Sequence, residues 1–447
     1  MSVSTGSNNK RFISAISYMD QREIEKSVVD IQNEGDFLDG LKVAGRYVPS
    51  AEGDYHHFTN SKLFGTPGDT TGATIVGSGT ATTLTGVTLT AATSGFAIVG
   101  TECILPNGGV AVVSAISTAS GQDTLTLKSV NANNLTLVAG NKIAFVSNAQ
   151  EEASSSPSSR RYDWTKYFNK LQIFRESDVI TDVQKASKIE ALIGGEQTIM
   201  YINHLQKLSA LKGQIAAALL GGKMSVTSWS DPTPALTGAN GNAIQTTRGL
   251  DDYVGSYGIS DTLTIAGTVS MADIQDLVTQ MAASRCPDAY MVWLNTASYG
   301  IYSQFFKGLN SSSVYSGRLS LDGKQLDLEF EGFKYAGYSF EFSKLRILDH
   351  SELFNFTGSA GLQKNAYFVP KGNVNVQGGG SLPRIRVRYF PQPMEGGYGD
   401  GIIRETHQGL LAPTPVGTDA NFTADWYTVQ GLEVLGAQHF IKQQVQA

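Results

Sequence analysis

Hydrophobic positions along this 447-residue chain follow two rhythms. In GGEQTIMYINHLQKLSALKGQIAAALLGG, Gly194 to Gly222, the residues Ile199, Ile202, Leu205, Leu208, Leu211, Ile215 and Leu219 recur every three or four places, while Gln197, Asn203, Lys207 and Gln214 fall elsewhere. That spacing predicts one helix from Gly195 to Leu220 with a narrow apolar stripe and a Gly-Gly break at each end. At 1.5 Å per residue it is a rod of about 38 Å, twice the usual helix. Gly213 inside it costs about 1 kcal/mol against Ala, so packing must hold the rod there. A core helix of a large domain and a coiled-coil arm are the two readings, and the lack of a sustained heptad weighs against the arm. A second helix is predicted after Ser270, where Ser270 and Asp273 make a capping-box-like start, Ile274, Leu277, Val278 and Met281 form the apolar face, and Pro287 is the stop.

The second rhythm is strand-like. From Ala73 to Ser147 the only charged residues are Glu102, Asp123, Lys128 and Lys142, and Thr, Val, Leu, Ala and Gly dominate. TLTGVTLT (Thr83 to Thr90), FAIVG (Phe96 to Gly100), AVVSAIS (Ala111 to Ser117), DTLTLKSV (Asp123 to Val130) and KIAFVS (Lys142 to Ser147) read as strands of a compact β-module, a small barrel or sandwich. Their alternation is too regular for a low-complexity linker. Two extended arms bracket the module, YVPSAEGDYHHFTNSKLF (Tyr47 to Phe64) before it and KLQIFRESDVITDVQ (Lys170 to Gln184) after it, the second entered through a polar tether, Glu151 to Arg161. The simplest arrangement is a hairpin with a domain at its tip. Upstream, DQREIEKSVVDIQ (Asp20 to Gln32) has an apolar face too small to fold alone and reads as a docking arm. Downstream, AYMVWLN (Ala289 to Asn295) is a buried strand, LDLEFEGFKYAGYSFEF (Leu326 to Phe342) alternates apolar with acidic residues, LPRIRVRYF (Leu382 to Phe390) alternates apolar with arginine, and WYTVQGLEVLGAQHFIKQ (Trp426 to Gln443) closes the chain as strands. The class is α+β, without an internal repeat.

Composition narrows the function. Charged residues are 17% of the chain, glycine is 48 of 447 and the net charge is −6, which argues against a protein whose affinity rests on neutralising phosphates. Cys103 and Cys286 form no framework, the N-terminus has no signal-peptide core, and no run approaches ~18 apolar residues, so no membrane partner is expected. Phosphate-loop, GxSxG, HExxH and calcium-loop patterns are absent, and GGYGDG (Gly396 to Gly401) reads as a flexible loop. His56 and His57 are adjacent but lack further ligands nearby, so an arm residue satisfied at an interface is preferred to a metal site. Asp251 and Asp252, after TTRGL, cap a turn in preference to binding a cation. No catalytic, cofactor or metal residue is assigned, and an enzyme is not expected.

Period two places Asp327, Glu329 and Glu331 on one face of one strand, and Arg384, Arg386 and Arg388 on one face of another. The bland reading is two solvated faces, where an ion pair is worth about 0 to 1 kcal/mol. The sharper readings are ladders that meet across subunits and set orientation, or an arginine strand facing packaged polyanion.

The order of parts resembles a known family. An N-terminal arm, an extended hairpin interrupted by a β-module, a long helix ending AALLGGK (Ala217 to Lys223), a loop with TTRGL, then an α+β part with YFVPKGNVNV (Tyr367 to Val376) and LPRIRVRYF is similar to the major capsid proteins of tailed bacteriophages, of the Hong Kong 97-type fold. The resemblance implies an N-arm at 1–55, an E-loop at 56–72 and 148–190, an inserted β-module at 73–147, a peripheral P-domain at 191–289 and 411–447 built on the spine helix, and an axial A-domain at 290–410. It implies a structural, self-assembling shell subunit in hexamers and pentamers of an icosahedral capsid, enclosing double-stranded DNA by weak non-specific contact. Portal, scaffolding and decoration or head proteins would be partners, and assembly would take place in the host cytoplasm. Arg160, Arg161, Arg175 and Glu176, with the six ladder residues, are the expected contacts between subunits. A separate scaffold or none is expected, since about 45 residues precede the core, and no cross-link is predicted. The module's uncharged composition favours contact over display. An encapsulin-type nanocompartment is the rival within the structural class, and a secreted β-rich hydrolase or adhesin the rival outside it.

Overall fold

The computed structural model describes residues 46–59, 68–69, 75–76, 82–89, 97–119, 122–137, 142–150, 152, 165–181, 188–193, 196–226, 236–312, 332–350, 361–376, 380–391, 393–394, 397–398, 404–409 and 421–445. The chain forms two compact units. One is His56–Tyr167, and the other takes the chain up to Tyr55 together with Phe168 onward.

In chain order the main elements are β1 (Tyr47–Pro49), β2 (Asp54–Thr59), β3 (Gly68–Asp69), β4 (Thr83–Thr88), β5 (Thr101–Ile104), β6 (Val110–Ala119), β7 (Gln122–Ser129), β8 (Lys142–Asn148), β9 (Thr165–Lys170), β10 (Gln172–Thr181), α1 (Ile199–Gly221), α2 (Leu250–Tyr257), β11 (Ile259–Thr262), α3 (Met271–Ala283), β12 (Ala289–Leu294), α4 (Thr296–Ser312), β13 (Gly332–Tyr335), β14 (Tyr338–Lys344), β15 (Asn365–Pro370), β16 (Ile385–Tyr389), β17 (Arg404–Gln408), β18 (Asn421–Val434) and β19 (Ile441–Gln444). Strands β2 and β9 pair with each other, so the two crossings between the units run as one ribbon.

In the unit His56–Tyr167, six antiparallel strands lie among the described residues in the order β3-β8-β5-β6-β7-β4, and Ile75–Val76 pairs separately with Thr136–Leu137. Alternation supplies its core: Leu84, Cys103, Ala111, Val113, Leu125, Leu127, Ile143 and Phe145 all point to one side and are buried. FAIVG is not a strand in its described residues. Ile98 accepts from Thr101 N (2.9 Å) and Gly100 takes φ +89°, so this stretch turns into β5.

The larger unit holds two sheets. The first runs β1-β16-β18-β10, with β17 also on β18. β18 is its axis: residues 421–430 pair with β10 along one edge, while β17 and then β16 share the other. Helix α1 packs mainly on β10, with Leu211, Ile215, Ala216, Leu219 and Leu220 buried. It begins at Ile199, later than the pattern suggests, because Glu196–Thr198 pairs as a strand with Lys188–Ile193. The second sheet runs β11-β19-β15-β12-β14-β13. It encloses Tyr290, Val292, Leu294, Phe340, Phe368 and Ile441 with Ile274, Leu277, Met281 of α3 and Tyr302 of α4. The capping box of α3 forms as expected, Ser270 Oγ accepting from Asp273 N (3.3 Å) and Asp273 Oδ2 from Ser270 N (2.9 Å). This sheet draws on both sides of the expected boundaries at 289/290 and 410/411, because β11 and β19 complete it.

Candidate functional site

The glycines of AALLGGK and TTRGL bring two distant loops into backbone contact. Gly222 N donates to Ala218 O (2.9 Å) and ends α1, and Gly249 N, at the start of α2, donates to Gly222 O (2.7 Å). Thr246 Oγ1 adds a bond to Lys223 O (2.7 Å). A Cβ on Gly249 would lie 2.6 Å from Gly222 N and 2.8 Å from Leu220 C and O, and one on Gly222 would lie 2.4 Å from Ala218 O. Backbone on both sides leaves no room for any side chain.

This closure supports a buried polar node where β9 ends. Asn169, fully buried, has Nδ2 within hydrogen-bond reach of Leu432 O (2.7 Å), Arg248 O (3.0 Å) and Thr247 Oγ1 (3.1 Å), its two N–H groups being shared among the three acceptors, and accepts through Oδ1 from Arg248 N (2.7 Å) and Lys170 N (2.8 Å). Gln172 Oε1 accepts from Thr247 N (3.1 Å), and Tyr55, at the start of β2, also donates to Leu432 O. Gly431 makes room for all of this, since a Cβ there would stand 2.9 Å from Lys170 O and 3.0 Å from both Thr247 Oγ1 and Tyr55 Oη. Arg248 pairs with Asp252 at 2.8 Å and lies over the rings of Tyr257 (5.1 Å) and Tyr253 (5.5 Å). Burial pushes the phenols of Tyr55 and Tyr253 well up, so both stay neutral and Tyr55 keeps the proton it donates to Leu432 O. Lys170 Nζ meets Asp54 at 3.4 Å and Leu171 N donates to Gly53 O at 2.9 Å, tying the ends of the ribbon together. The node joins β2, β9, α1, α2 and β18 at the root of the ribbon. Its chemistry is mechanical: most of its bonds tie side chains to backbone, and the rest pair side chains with one another.

A second feature lies beside it. Glu433 of β18, with a side chain 3% exposed, takes Arg388 Nε at 2.6 Å and Nη2 at 3.3 Å, and Arg386 Nη2 at 2.9 Å. Arg388 Nη1 also donates to Pro49 O of β1 (3.2 Å). Burial alone would raise the Glu433 carboxyl, and the hydrogen bond from Arg388 with the charges of both arginines overcomes it, holding the group below the usual carboxylate range. The solvated-face reading therefore fails for Arg386, which is buried, because β18 supplies an acid at the register position opposite it.

The other expected contacts are placed as follows. Arg175 reaches Asp425 at 2.7 Å with its own side chain 61% exposed, and Glu176 receives Lys207 of α1 at 2.7 Å. Arg384 is half-buried with its Nε and Nη1 shielded and without a hydrogen-bond partner. Arg160, Arg161, Asp327, Glu329 and Glu331 lie outside the described residues. Asp251 and Asp252 sit in the first turn of α2 and make ion pairs, Asp251 with Lys442 (2.7 Å). His57 stacks on Tyr167 at 5.2 Å. Sequence reasoning missed Asn169, Tyr55, Thr247 and Glu433. The available signal was a polar residue inside an apolar run, in YFNKL and in GLEVLG. Among the described residues, no His, Cys, Asp and Glu cluster could hold a metal ion and no helix is long and apolar enough to cross a membrane.

Comparison with known proteins adds three findings. The family model for the SU10 major capsid protein matches residues 32–330. None of the curated proteins matches the chain. Among solved structures, the capsid asymmetric unit of cyanophage A-1(L) is similar at 9% identity and TM-score 0.42, covering 95% of this chain and 97% of that one. The capsid of a native GTA particle is similar at 9% and 0.41, covering 99% and 100%. The capsid structure of cyanophage P-SCSP1u is similar at 13% and 0.35, covering 67% and 80%.

Proposed function

From the premise that this chain belongs to the SU10 major capsid protein family, and so is a structural shell subunit of a tailed phage virion, we propose how its parts serve the shell. The fold is read as Hong Kong 97-type: N-arm at 1–55, E-loop at 56–72 and 148–190 carrying the inserted module 73–147, P-domain at 191–289 and 411–447, A-domain at 290–410. The observation that carries this reading is the node around Asn169. A subunit that passes force between copies needs the strands at its load-bearing junctions held in place, and here the hydrogen bonds of one buried side chain, with three glycines packed to backbone distance, hold the ends of β9, α1 and β18 together. Helix α1 is the strut that carries the load from the node along β10.

Copies meet in hexamers and pentamers of an icosahedral shell around double-stranded DNA, assembled in the bacterial cytoplasm with portal, scaffolding and decoration or head proteins as further partners. The contacts between copies include Arg175, whose side chain stays largely exposed beside Asp425, and by the same reading Arg160, Arg161, Asp327, Glu329 and Glu331, whereas Arg384 is shielded and Glu176, Arg386 and Arg388 are engaged within the subunit and act there by holding the sheet and the helix α1 in place. Many weak interfaces closed by symmetry then give a stable container without catalysis.

The test is imaging of particles purified from the producing cells, with absorbance at 260 nm. Closed icosahedral shells carrying nucleic acid are expected. Shells filled with a protein cargo and no nucleic acid would favour the encapsulin reading, and a monodisperse monomer under assembly conditions would overturn both.

A further inference from the structure

The outward side of the six-stranded sheet in the unit His56–Tyr167 is patterned as if to meet a copy of itself. Opposite its buried side, Ile104 (42% exposed) and Val146 (48%) stand with Val110, Val112 and Ala144 on neighbouring strands. The hydroxyls of Thr124 and Thr126 lie beyond. Register places one cross-strand row on this side: Ser147, Glu102, Val112, Lys128 and Thr83, each the partner of the next. The row thus carries one acid and one base, each one strand away from Val112 on either side, and the two charges are about 10 Å apart.

Resting on the shell-subunit reading above, we propose that this sheet side is an isologous contact between two copies of the chain. A two-fold axis in the contact plane, parallel to the strands and over Val112, sets Glu102 of each copy opposite Lys128 of the other and stacks the aliphatic floors between them. Self-complementarity of this kind is what a two-fold contact demands. Face-to-face sheets pack about 10 Å apart, which the small Val, Ala and Thr side chains here permit. From Ala73 to Ser147 two acids balance two bases, so copies meet without net repulsion. The occupant is a second copy because the row complements its own reverse; a foreign partner has no reason to match that spacing.

The experiment is a charge swap in the full chain, read as the guanidinium concentration that dissociates assembled shells. Glu102→Lys and Lys128→Glu should each lower the dissociation midpoint, since either one puts like charges opposite each other, and the double variant should restore most of the loss. As a second readout, Val112→Cys in assembled shells should give dimers with a bis-maleimide of about 10 Å reach, set by sheet spacing, and none after dissociation. Cys103 and Cys286 are buried, so the wild-type chain is the control. Wild-type shells that form normally while both single variants dissociate at the same midpoint, or a double variant no better than the worse single one, would overturn this contact and leave the shell reading intact. Failure of the wild-type chain to form shells would instead strike at the shell reading.

Discussion

Replacing Glu433 by Gln tests whether the acid inside the arginine strand holds the first sheet together. Glu433 and Arg386 have side chains 3% and 8% exposed, and Arg388 adds a second guanidinium at 2.6 Å. Gln keeps the shape and one acceptor but leaves two cations without a counter-charge. Breaking a buried pair from one side costs about 3–5 kcal/mol, and the retained amide puts this variant near the lower end. Urea unfolding of the unassembled subunit, followed by tryptophan fluorescence, reads the effect directly, because Trp426 lies buried on the same strand as Glu433. The pH profile gives an independent check. The folded carboxyl titrates below its unfolded value of about 4.3, so its contribution is present above that pH and is lost as pH falls through the lowered folded value. The variant has no such group, and its stability should fall less steeply than wild type below about pH 4. An unchanged urea midpoint at pH 7 together with an unchanged acid profile would refute the argument.

Asn169→Ala removes the side-chain hydrogen bonds of this node and strands the N–H groups of Lys170 and Arg248; at about 1–3 kcal/mol per orphaned buried group, a loss of about 2–6 kcal/mol is expected, with faster amide exchange at 170 and 248. Gly249→Ala forces Cβ into the backbone of Gly222 and Leu220 and should abolish soluble folded subunit, whereas Gly255→Ala, in the same α2 with open space around it, should stabilise by about 1 kcal/mol; equal melting temperatures for the two variants would contradict the close approach. Deleting 74–147 with a short linker should leave a folded subunit, because the two units have separate cores, but one that assembles poorly or into fragile shells; particles as robust as wild type would make the module dispensable.

Local pattern made much of this protein legible. Period 3.6 marked α1 and α3, period two marked β6, β7, β8 and β16, β10 was legible only as an extended arm, and the layout of arm, interrupted hairpin, rod and α+β part pointed to the capsid family that the family model then matched. These features depend on residues a few places apart, which backbone geometry makes periodic. The fate of the polar residues was decided by tertiary structure. Asn169 and Leu432 are 263 positions apart, and Arg388 and Glu433 are 45, so no local rhythm records that they meet. A strand alternating Ile, Arg, Val and Arg looks half-solvated until a neighbour supplies a buried carboxylate, and β16 acquires that neighbour only when β18 pairs alongside it. The same holds for the glycines of AALLGGK and TTRGL. A sequence announces that glycine is present, and only the folded backbone on its far side shows why nothing larger fits.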